Sequence, residues 1–560
     1  MWMHGWRDQA ARRLSEPWDL VVVGGGITGA GILLEAAQRG LKALLLEQRD
    51  FAWGASSRSS KLVHGGLRYL KQGKLRLTAA AARERQRLLV EAPGLVEPLG
   101  FLCPTQPGGA RDRVLLTLGL SVYDHLGGAA RHSYLADGAF RSQAPHLVST
   151  VTGGHHFQDA HTDDARLTLR LLQEARADGA EAMNAVTVVG LLRAAGRVAG
   201  VVARDAVTGR SHQVPARAVV NAAGPWSDRL REPLGATARI RPLRGSHLVF
   251  PAWRLPVAQA LTVFHPADRR PVVIAPWEGA TLVGTTDLDH RQPLDQEPRI
   301  SVQELTYLME LVRAWFPSLD LGPDDLVSTF AGVRPVVGST HRDPTCESRD
   351  HVVWNESGLL TVTGGKLTTF RLIAQDALRA LGRTVGGVAS GAARPLFRPP
   401  GAVEPLAALP TPVRDRLLAR YGPDAASVAV ASPPEELVVI PGTHTLWAEL
   451  RWAARAEAVN HLDDLLLRRV RLGLLLPTGG LRWAQRIRAI CQPELGWDDA
   501  RWTREEAAYR ELWRTAYAPL VSRLSRRSEK RGRQGAVAFS PAWASPAAAS
   551  RPASCRPPQP

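Results

Sequence analysis

The first folding unit of the chain is encoded by Asp19-Leu-Val-Val-Val-Gly24-Gly-Gly26-Ile-Thr-Gly29-Ala-Gly31 and, farther along, by Leu44-Leu-Leu-Glu47. This pattern predicts an apolar strand, a glycine turn, a helix and a second strand that ends in a carboxylate. Gly24 permits the tight turn, Gly26 lets backbone approach a pyrophosphate at the helix N-terminus, and Gly29 lets the helix pack closely on the strand. The stretch therefore indicates a site for the ADP half of a dinucleotide.

The carboxylate of Glu47 narrows the choice of dinucleotide. At the end of the second strand it is placed to accept hydrogen bonds from ribose hydroxyls, and its negative charge would repel a 2′-phosphate. The sequence thus favours FAD or NAD over NADP.

The same segment is the only stretch that invites comparison with a membrane span. Leu20 to Leu34 carries no charge, but it is too short and too rich in glycine to cross a bilayer, which needs about 20 apolar residues. Arg12-Arg13 is followed by Leu-Ser-Glu-Pro-Trp-Asp rather than by the apolar region of an export signal. We therefore expect an intracellular protein without a membrane-spanning segment.

Composition is that of an ordinary globular protein with a large basic excess. The chain has 560 residues, 45% hydrophobic and 22% charged, with a formal net charge of +17. Part of this charge lies in residues 526–560, an Ala/Ser/Pro-rich tract that we predict to be a disordered basic tail. Cys103, Cys346, Cys491 and Cys555 are far apart and form no ligand pattern, so neither a disulfide framework nor a metal site is predicted.

Alternating strand and helix patterns recur in three separated places, which predicts one discontinuous sheet domain with insertions. The insertions include a region of alternating apolar and polar residues, as expected for an antiparallel sheet, and the pattern becomes helical after a proline-rich linker. The predicted division is 17–75, 151–232 and 326–393 for the nucleotide domain, 76–150 and 233–325 for a substrate or cap domain, 406–525 for a C-terminal helical domain, and 526–560 for the tail.

Seven motifs in one order make the chain similar to a known family. They are Gly24-Gly-Gly-Ile-Thr-Gly-Ala-Gly31, Ser59-Ser-Lys-Leu-Val-His-Gly-Gly-Leu-Arg-Tyr69, Val220-Asn-Ala-Ala-Gly-Pro-Trp226, Arg244-Gly-Ser-His247, Gly284-Thr-Thr-Asp287, Gly332-Val-Arg-Pro335 and Gly364-Gly-Lys-Leu-Thr-Thr369. Over roughly residues 17 to 525 the chain resembles the FAD-dependent glycerol-3-phosphate dehydrogenases, respiratory flavoenzymes that oxidise sn-glycerol 3-phosphate to dihydroxyacetone phosphate and reduce quinone.

The resemblance implies an α/β fold, cofactor and partners. The expected fold is an FAD-binding Rossmann-like domain of the glutathione-reductase/DAO type, with an inserted antiparallel-sheet substrate domain and a C-terminal helical domain. The implied cofactor is FAD, and the implied partners are glycerol 3-phosphate, a membrane quinone and an anionic membrane surface, with no specific nucleic acid. A homodimer is compatible with the resemblance. The implied location is cytoplasmic, peripherally associated with the inner membrane, and the segments Thr369 to Arg383 and 68 to 90 are the candidate contact surfaces.

Basic side chains within the matching motifs suit a phosphorylated polyol, because a phosphate needs charged donors. Oxidation of its secondary alcohol by a flavin requires departure of a hydride to flavin N5 and removal of the hydroxyl proton. We predict His247 as the base and Arg334 as the group that stabilises the developing alkoxide. The predicted substrate-binding residues are Arg68, Tyr69, Arg349 and Lys366. The predicted cofactor-binding residues are Gly24, Gly26, Gly29, Glu47, Ser57, Ser60, Gly224, Gly364, Gly365 and Leu367.

Three alternatives stay open at this point. A glycerol-3-phosphate oxidase would keep the fold and deliver electrons to oxygen. An amine or amino acid oxidase of the same flavoprotein superfamily would want a carboxylate site and would not need so many phosphate-type donors. A polyanion-binding protein would present a clustered basic face with stacking aromatic residues, whereas the densest basic cluster of this chain lies in the predicted tail.

Overall fold

The structure is a computed structural model that describes residues 1–66, 73, 75–106, 110–127, 132–338, 350–385 and 394–520. This part of the chain consists of two large sheets, the helices that pack on them and a further set of C-terminal helices. The predicted tail, residues 526–560, lies outside the described residues.

Strands occur in both halves of the described chain and are numbered in chain order. They are β1 (Trp18–Val23), β2 (Ala43–Leu46), β3 (Leu62–Val63), β4 (Val96–Pro104), β5 (Ser133–Ala136), β6 (Gly153–Thr162), β7 (Glu181–Met183), β8 (Val186–Ala194), β9 (Arg197–Asp205), β10 (Ser211–Asn221), β11 (Ile240–Pro251), β12 (Ala260–Phe264), β13 (Pro271–Trp277), β14 (Ala280–Gly284), β15 (Leu288–Asp289), β16 (Ser328–Val337), β17 (Val352–Glu356) and β18 (Leu359–Thr363).

The α-helices follow the same order along the described chain. They are α1 (Trp6–Arg13), α2 (Ile27–Gln38), α3 (Leu75–Glu91), α4 (Ala110–Gly127), α5 (Asp137–Gln143), α6 (Asp164–Ala177), α7 (Ser227–Arg231), α8 (Val302–Trp315), α9 (Phe370–Val385), α10 (Thr411–Tyr421), α11 (Ala425–Val430), α12 (Trp447–Ala456), α13 (Leu472–Leu475), α14 (Ala484–Leu495) and α15 (Asp499–Leu512).

The first sheet has eight strands and contains the predicted strand, turn and helix. Its main path runs β17-β18-β10-β1-β2-β7, and the β8–β9 pair extends from β10. β1 pairs in parallel with β2 and β10, and β10 pairs in parallel with β18, so the three separated α/β pieces meet in one sheet. Helix α2 packs between α6 and α9 on one face of this sheet. Burial on both faces explains the continuous apolar run of β1, and the predicted α/β class is confirmed.

The second sheet has ten strands and is almost wholly antiparallel. Its path is β15-β11-β14-β13-β12-β4-β6-β3, with β16 alongside β11 and β5 alongside β6. The single parallel pair among its described strands is β12 with β4. Helix α8 covers one face, where its apolar side chains share a core with those of β11 to β14. The inserted antiparallel sheet expected from the alternating pattern is therefore present.

Strand pairing differs from the predicted domain division in three places. β3, β6 and β16 fall within ranges predicted for the nucleotide domain, yet all three belong to the second sheet. β16 pairs along its whole length with β11, from Ile240↔Val337 to Val249↔Ser328. The residues of β16 do not indicate which strand it pairs with, because β11 lies far away in the sequence. The chain thus crosses between the two sheets several times.

The C-terminal helices pack against the second sheet and reach the first. Val249, Trp277 and Phe330 of the sheet share a core with Trp447 and Leu466. Buried ion pairs add to this contact: Arg469 Nη2 lies 2.7 Å from Asp50 Oδ1, just after β2. The helical C-terminal domain is therefore an integral part of the folded molecule.

Candidate functional site

A cavity of about 660 Å³ lies between the two sheets. On one side it is lined by the carboxyl ends of the parallel strands, at Val23, Leu46 and Ala222. On the other side it is lined by Gly284 and Arg334 of the antiparallel sheet. In open α/β sheets ligands bind in the crevice outside the carboxyl ends of the strands, so this cavity is the candidate site.

The glycine turn forms the end of the cavity nearest β1. Gly24 has a φ of +113°, and a Cβ atom there would lie 2.5 Å from the carbonyl oxygen of Ala222. A Cβ atom on Gly29 would lie 1.9 Å from the carbonyl oxygen of Gly24, because α2 packs directly on the turn. Gly26 stands at the N-cap of α2 and lines the cavity. Backbone thus reaches the cavity without side chains at the point where a pyrophosphate would sit against a helix N-terminus.

Glu47 follows β2 and lines the same end of the cavity. Its Oε2 accepts a hydrogen bond from the backbone N–H of Gly25 at 2.7 Å, and its Oε1 accepts one from that of Arg49 at 2.8 Å. Burial raises the pKa of Glu47 to about 7, and these two hydrogen bonds oppose the rise. The two hydrogen bonds therefore fix the carboxyl group in place, and its pKa lies near neutral pH.

A second glycine turn, between β18 and α9, also lines the cavity. Gly364 and Gly365 both have positive φ, +77° and +74°, and a Cβ on Gly364 would lie 2.5 Å from the carbonyl oxygen of Asp350. The turn continues into the single 3₁₀ turn Leu367–Thr369, which begins α9. Its backbone N–H groups are suited to stabilise negative charge on a ligand in the cavity.

His247 lies on β11 behind the cavity wall and is only 1% exposed. Its Nε2 lies 2.8 Å from Oγ of Ser60, and Ser60 itself lines the cavity. The imidazole stacks on Phe330 with ring centroids 4.6 Å apart, and a Cβ on Gly284 of the adjacent strand would lie 2.2 Å from His247 Cδ2. The ring is thus held in one orientation, with its nitrogen directed at a serine of the wall.

Burial lowers the pKa of His247 well below its usual value of 6.5, and the positive charges of Arg334 and Lys61 lower it further. The imidazole is consequently neutral at neutral pH, the form that can accept a proton.

Arg334 lies on β16 at the cavity wall. Its Nη2 donates to Thr285 Oγ1 at 2.8 Å, and its Nη1 donates to Asp287 Oδ1 at 3.0 Å. Asp287 also pairs with Arg270, at 3.3 Å. The guanidinium is therefore oriented by the Gly284-Thr-Thr-Asp287 motif while a quarter of its side chain remains exposed to the cavity.

Most of the sequence-predicted residues meet around this cavity. Those that line it are Gly24, Gly26, Glu47, Ser60, Gly224, Arg334, Gly364, Gly365, Lys366 and Leu367. Gly29 lies behind the first turn, where it serves the packing of α2, and His247 reaches the wall through Ser60. Arg68, Tyr69 and Arg349 lie outside the described residues.

Ser57 differs from its predicted place in the cofactor site. Its side chain is buried, it is absent from the described lining of the cavity, and its carbonyl oxygen accepts hydrogen bonds from Lys61 Nζ at 3.1 Å and Arg471 Nη1 at 3.3 Å. The neighbouring Ser56 takes the cavity side instead, and its Oγ accepts a hydrogen bond from the backbone N–H of Ile27 at 2.9 Å. Successive residues of the short 3₁₀ turn Ala55–Ser57 point to different sides, which the serine-rich sequence alone does not resolve.

Sequence reasoning missed three contributors to the site. Trp53 and Trp226 line the cavity with ring centroids 5.6 Å apart; Trp226 could have been found from the Gly224-Pro-Trp motif that contains it. Lys61 lies beneath the wall, where its Nζ donates to Asp164 Oδ1 at 2.8 Å and burial lowers its pKa to about 8. Lys61 lies within the motif Ser59-Ser-Lys-Leu-Val-His-Gly-Gly-Leu-Arg-Tyr69, and this position could have identified it as part of the site.

Comparison with known proteins agrees with this geometry. A family model described as FAD dependent oxidoreductase matches residues 19–371, and one described as the C-terminal domain of alpha-glycerophosphate oxidase matches residues 364–502. The aerobic glycerol-3-phosphate dehydrogenase of Bacillus subtilis strain 168 is 39% identical over 365 residues, 64% of this chain and 65% of the relative. That of Staphylococcus haemolyticus is 36% identical over 377 residues, 66% of this chain and 68% of the relative.

Among solved structures, the glycerol-3-phosphate dehydrogenase of Bacillus halodurans complexed with FAD aligns with a TM-score of 0.74 and 29% identity. The alignment covers 92% of this chain and 98% of that one. The chain thus spans about two thirds of the B. subtilis relative by sequence and nearly all of the B. halodurans enzyme by structure. With the first family model matching more than half of its residues, the chain belongs to the FAD-dependent oxidoreductase family, with a C-terminal domain of the alpha-glycerophosphate oxidase type.

Proposed function

We propose that this protein oxidises sn-glycerol 3-phosphate to dihydroxyacetone phosphate with FAD and passes the electrons to a membrane quinone. One observation carries the proposal: the dinucleotide cradle shares a cavity with the basic side chains Arg334 and Lys366 and with Ser60, which is hydrogen-bonded to His247 behind the wall. The names of the relatives and of the second family model support the substrate class.

FAD fits the residues of the cradle. Gly24 and Gly26 leave room for a pyrophosphate, Glu47 can accept hydrogen bonds from ribose hydroxyls, and the turn at Gly364 can support the flavin ring. When bound, FAD supplies the two-electron acceptor for the substrate carbon. The protein's part is to hold the substrate, neutralise its charge and remove a proton.

Positive charge at the wall suits the anionic substrate. Arg334 presents a planar guanidinium, and Lys366 follows the second glycine turn at the lining. We propose that these two residues, together with Arg68, Tyr69 and Arg349 from the matching motifs, bind the phosphate and the polyol. Charged hydrogen bonds to phosphate are about twice as strong as neutral ones, so several such donors favour a phosphorylated alcohol over an amine.

Proton removal is assigned to Ser60 and His247 together. The substrate hydroxyl gives its proton to Ser60 Oγ while the Ser60 proton passes to His247 Nε2, which lies 2.8 Å away. Arg334 stabilises the negative charge that develops on the substrate oxygen. In this arrangement His247 is the base predicted from the sequence, but it acts through a hydroxyl of the wall.

The proposed acceptor requires access to a bilayer. Of the helices in the described part of the chain, none combines the length and the apolar character that crossing a bilayer requires. We therefore propose a cytoplasmic location with peripheral attachment to the inner membrane, because the quinone resides there.

Anaerobic mixing of the yellow holoprotein with substrate tests the proposal. We expect glycerol 3-phosphate to bleach the flavin rapidly, whereas glycerol and glycine leave it oxidised. His247→Ala should slow bleaching by about 10²-fold or more, the usual range for loss of a general base, while FAD content is retained. A control, Trp253→Ala, alters an exposed side chain that is not part of the cavity lining and should bleach normally.

Reoxidation then separates the possible acceptors. A short-chain quinone should restore the yellow colour faster than air-saturated buffer does. Faster reoxidation by oxygen would assign the oxidase function instead, and bleaching by glycine would assign an amine oxidase. An unchanged reduction rate in His247→Ala would remove His247 from the proton path.

A further inference from the structure

Helix α4 presents an apolar stripe to solvent. Val114, Leu115, Leu118 and Val122 are 58%, 58%, 60% and 42% exposed. At 100° per residue these four side chains fall within about 100° of the helix circumference, on one face. The opposite face buries Leu120 and Tyr123 completely. α4 thus buries one apolar face in the fold and exposes a second apolar face that no described element covers.

Residues 68–72 and 74 of the segment 68 to 90, suggested earlier as a membrane contact, lie outside the described residues, and the described parts of this segment and of Thr369 to Arg383 are mostly buried or half-buried. α9 buries its apolar residues, from Phe370 to Leu381, in the same core as α2. α3 likewise buries its middle, from Thr78 to Leu88, and Arg371 of α9 pairs with Glu84 of α3 at the junction. The described residues of α3 and α9 thus serve mainly the packing of the fold, and among the described helices of this region α4 carries the exposed apolar stripe.

The exposed described residues of α4 carry no negative charge. Between residues 113 and 126, the exposed side chains other than the four apolar ones are Arg113, Ser121 and His125, and none is a carboxylate. Asp124 is half-buried and accepts a hydrogen bond from the backbone N–H of His132 at 2.7 Å. α3, which packs against α4, adds the exposed Arg76 and Arg83. An apolar stripe with a basic border complements a surface that is apolar inside and anionic outside.

We propose that this face of α4 docks on the surface of an anionic lipid bilayer. The inference rests on the proposed function, because the quinone acceptor lies in the bilayer. A second copy of the chain is the less suitable occupant: a stable protein interface buries roughly 800 Å² per partner from about 20–30 residues, far more than four side chains supply. An interfacial helix, in contrast, binds by inserting a few apolar side chains among lipid headgroups.

The docking face is tied directly to the cavity. The hydroxyl of Tyr123, on the buried side of α4, accepts a hydrogen bond from the backbone N–H of Gly65 at 2.8 Å and donates to Asp159 Oδ1 at 2.8 Å. Gly65 follows His64, which lines the cavity. Arg85 of α3 joins the same carboxylate at 2.6 Å. The helix that meets the lipid therefore holds the segment that borders the proposed substrate site.

Sedimentation of the full-length holoprotein with vesicles tests this assignment. We compare the wild type, Leu115→Glu/Leu118→Glu and a control, Val207→Glu, which alters an exposed apolar residue outside α4. The wild type and the control should bind phosphatidylcholine vesicles that contain phosphatidylglycerol, and binding should weaken with added salt. The double variant should bind at least about tenfold more weakly, because two inserted apolar side chains are replaced by anions.

Two activity assays and a measurement of molecular mass in solution, which distinguishes monomer from dimer, complete the experiment. The double variant should keep the wild-type rate with a water-soluble dye and lose turnover with quinone held in vesicles. Equal vesicle binding by the wild type and the double variant would overturn the proposal. So would a lipid-free wild-type dimer that the double substitution converts to a monomer, since the face would then bind a second copy. A wild type that docks on vesicles but is not bleached by glycerol 3-phosphate supports the docking face and contradicts the proposed substrate.

Discussion

At the scale of single residues, Glu47 combines a structural and a binding role. Two backbone N–H groups fix its carboxylate, yet burial leaves its pKa at about 7. Ribose hydroxyls that donate to the carboxylate would favour its ionised form. The binding of FAD is therefore expected to depend on the protonation of this one side chain.

We predict that the FAD affinity of the deflavinated protein rises with pH through the pH range around 7. Below its pKa Glu47 carries a proton that must leave when ribose hydroxyls bind, so affinity should increase by up to about tenfold per pH unit there and level off above it. Fluorescence titration with FAD at a series of pH values measures the slope. Glu47→Gln should flatten the profile, whereas Glu16→Gln, at a site away from the cavity lining, should retain it. A slope that persists in Glu47→Gln would place the titrating group elsewhere.

At the scale of elements, the contact between α2 and the first glycine turn determines the shape of the cradle. A Cβ on Gly29 would lie only 1.9 Å from the carbonyl oxygen of Gly24, so the helix can approach the strand this closely only with glycine at that position. α5 offers a contrasting site, because a Cβ on Gly138 would meet nothing within 4 Å.

Gly29→Ala should accordingly lower both FAD content and stability. Overpacking of this kind typically costs about 1–3 kcal/mol, and displacement of α2 also moves the N–H groups that face the pyrophosphate. Gly138→Ala should be neutral or stabilising by up to about 1 kcal/mol, since alanine favours helix. Flavin absorbance after purification and thermal melting of both variants provide the measurement. Full flavin content in Gly29→Ala would contradict the proposed cradle.

The same elements show what could be predicted from sequence. The β1-turn-α2-β2 unit was accessible because each signal is local: apolar run, glycines, helix and terminal carboxylate. The membership of β16 in the second sheet could not be predicted, because its partner β11 lies in a separate segment. The apolar residues of a strand do not indicate which strand it pairs with. The direction of Ser57 and the route from His247 through Ser60 likewise depend on backbone geometry. Residue types could be predicted for this site, but their orientation could not.

At the scale of the whole molecule, buried ion pairs join the C-terminal helices to the first domain. Arg166 of α6 and Glu457, just after α12, are both fully buried, with Nη2 and Oε2 3.1 Å apart. They are 291 residues apart in sequence, so no local pattern predicted the pair. Breaking such a pair leaves an uncompensated buried charge.

Glu457→Gln should therefore destabilise the protein strongly, by about 3–5 kcal/mol in the free energy of unfolding. The amide keeps the shape of the side chain, which isolates the loss of charge. Arg488→Ala removes the exposed pair with Asp499 and should cost less than about 1 kcal/mol. Denaturant unfolding followed by tryptophan fluorescence compares the two variants. Equal stability of both would mean that the buried pair does not join the domains.

The order of strands in the first sheet has a consequence for how the protein is made. β1 and β10 cannot complete their sheet until β18, ending at Thr363, has left the ribosome, and the second sheet likewise waits for β16. Pairings between such distant segments form late in synthesis. A nascent chain shorter than this has the glycine fingerprint but lacks the Gly364 turn, which also lines the cavity. Flavin loading is thus postponed until most of the polypeptide exists, and the yellow colour reports a chain that has been synthesised beyond β18.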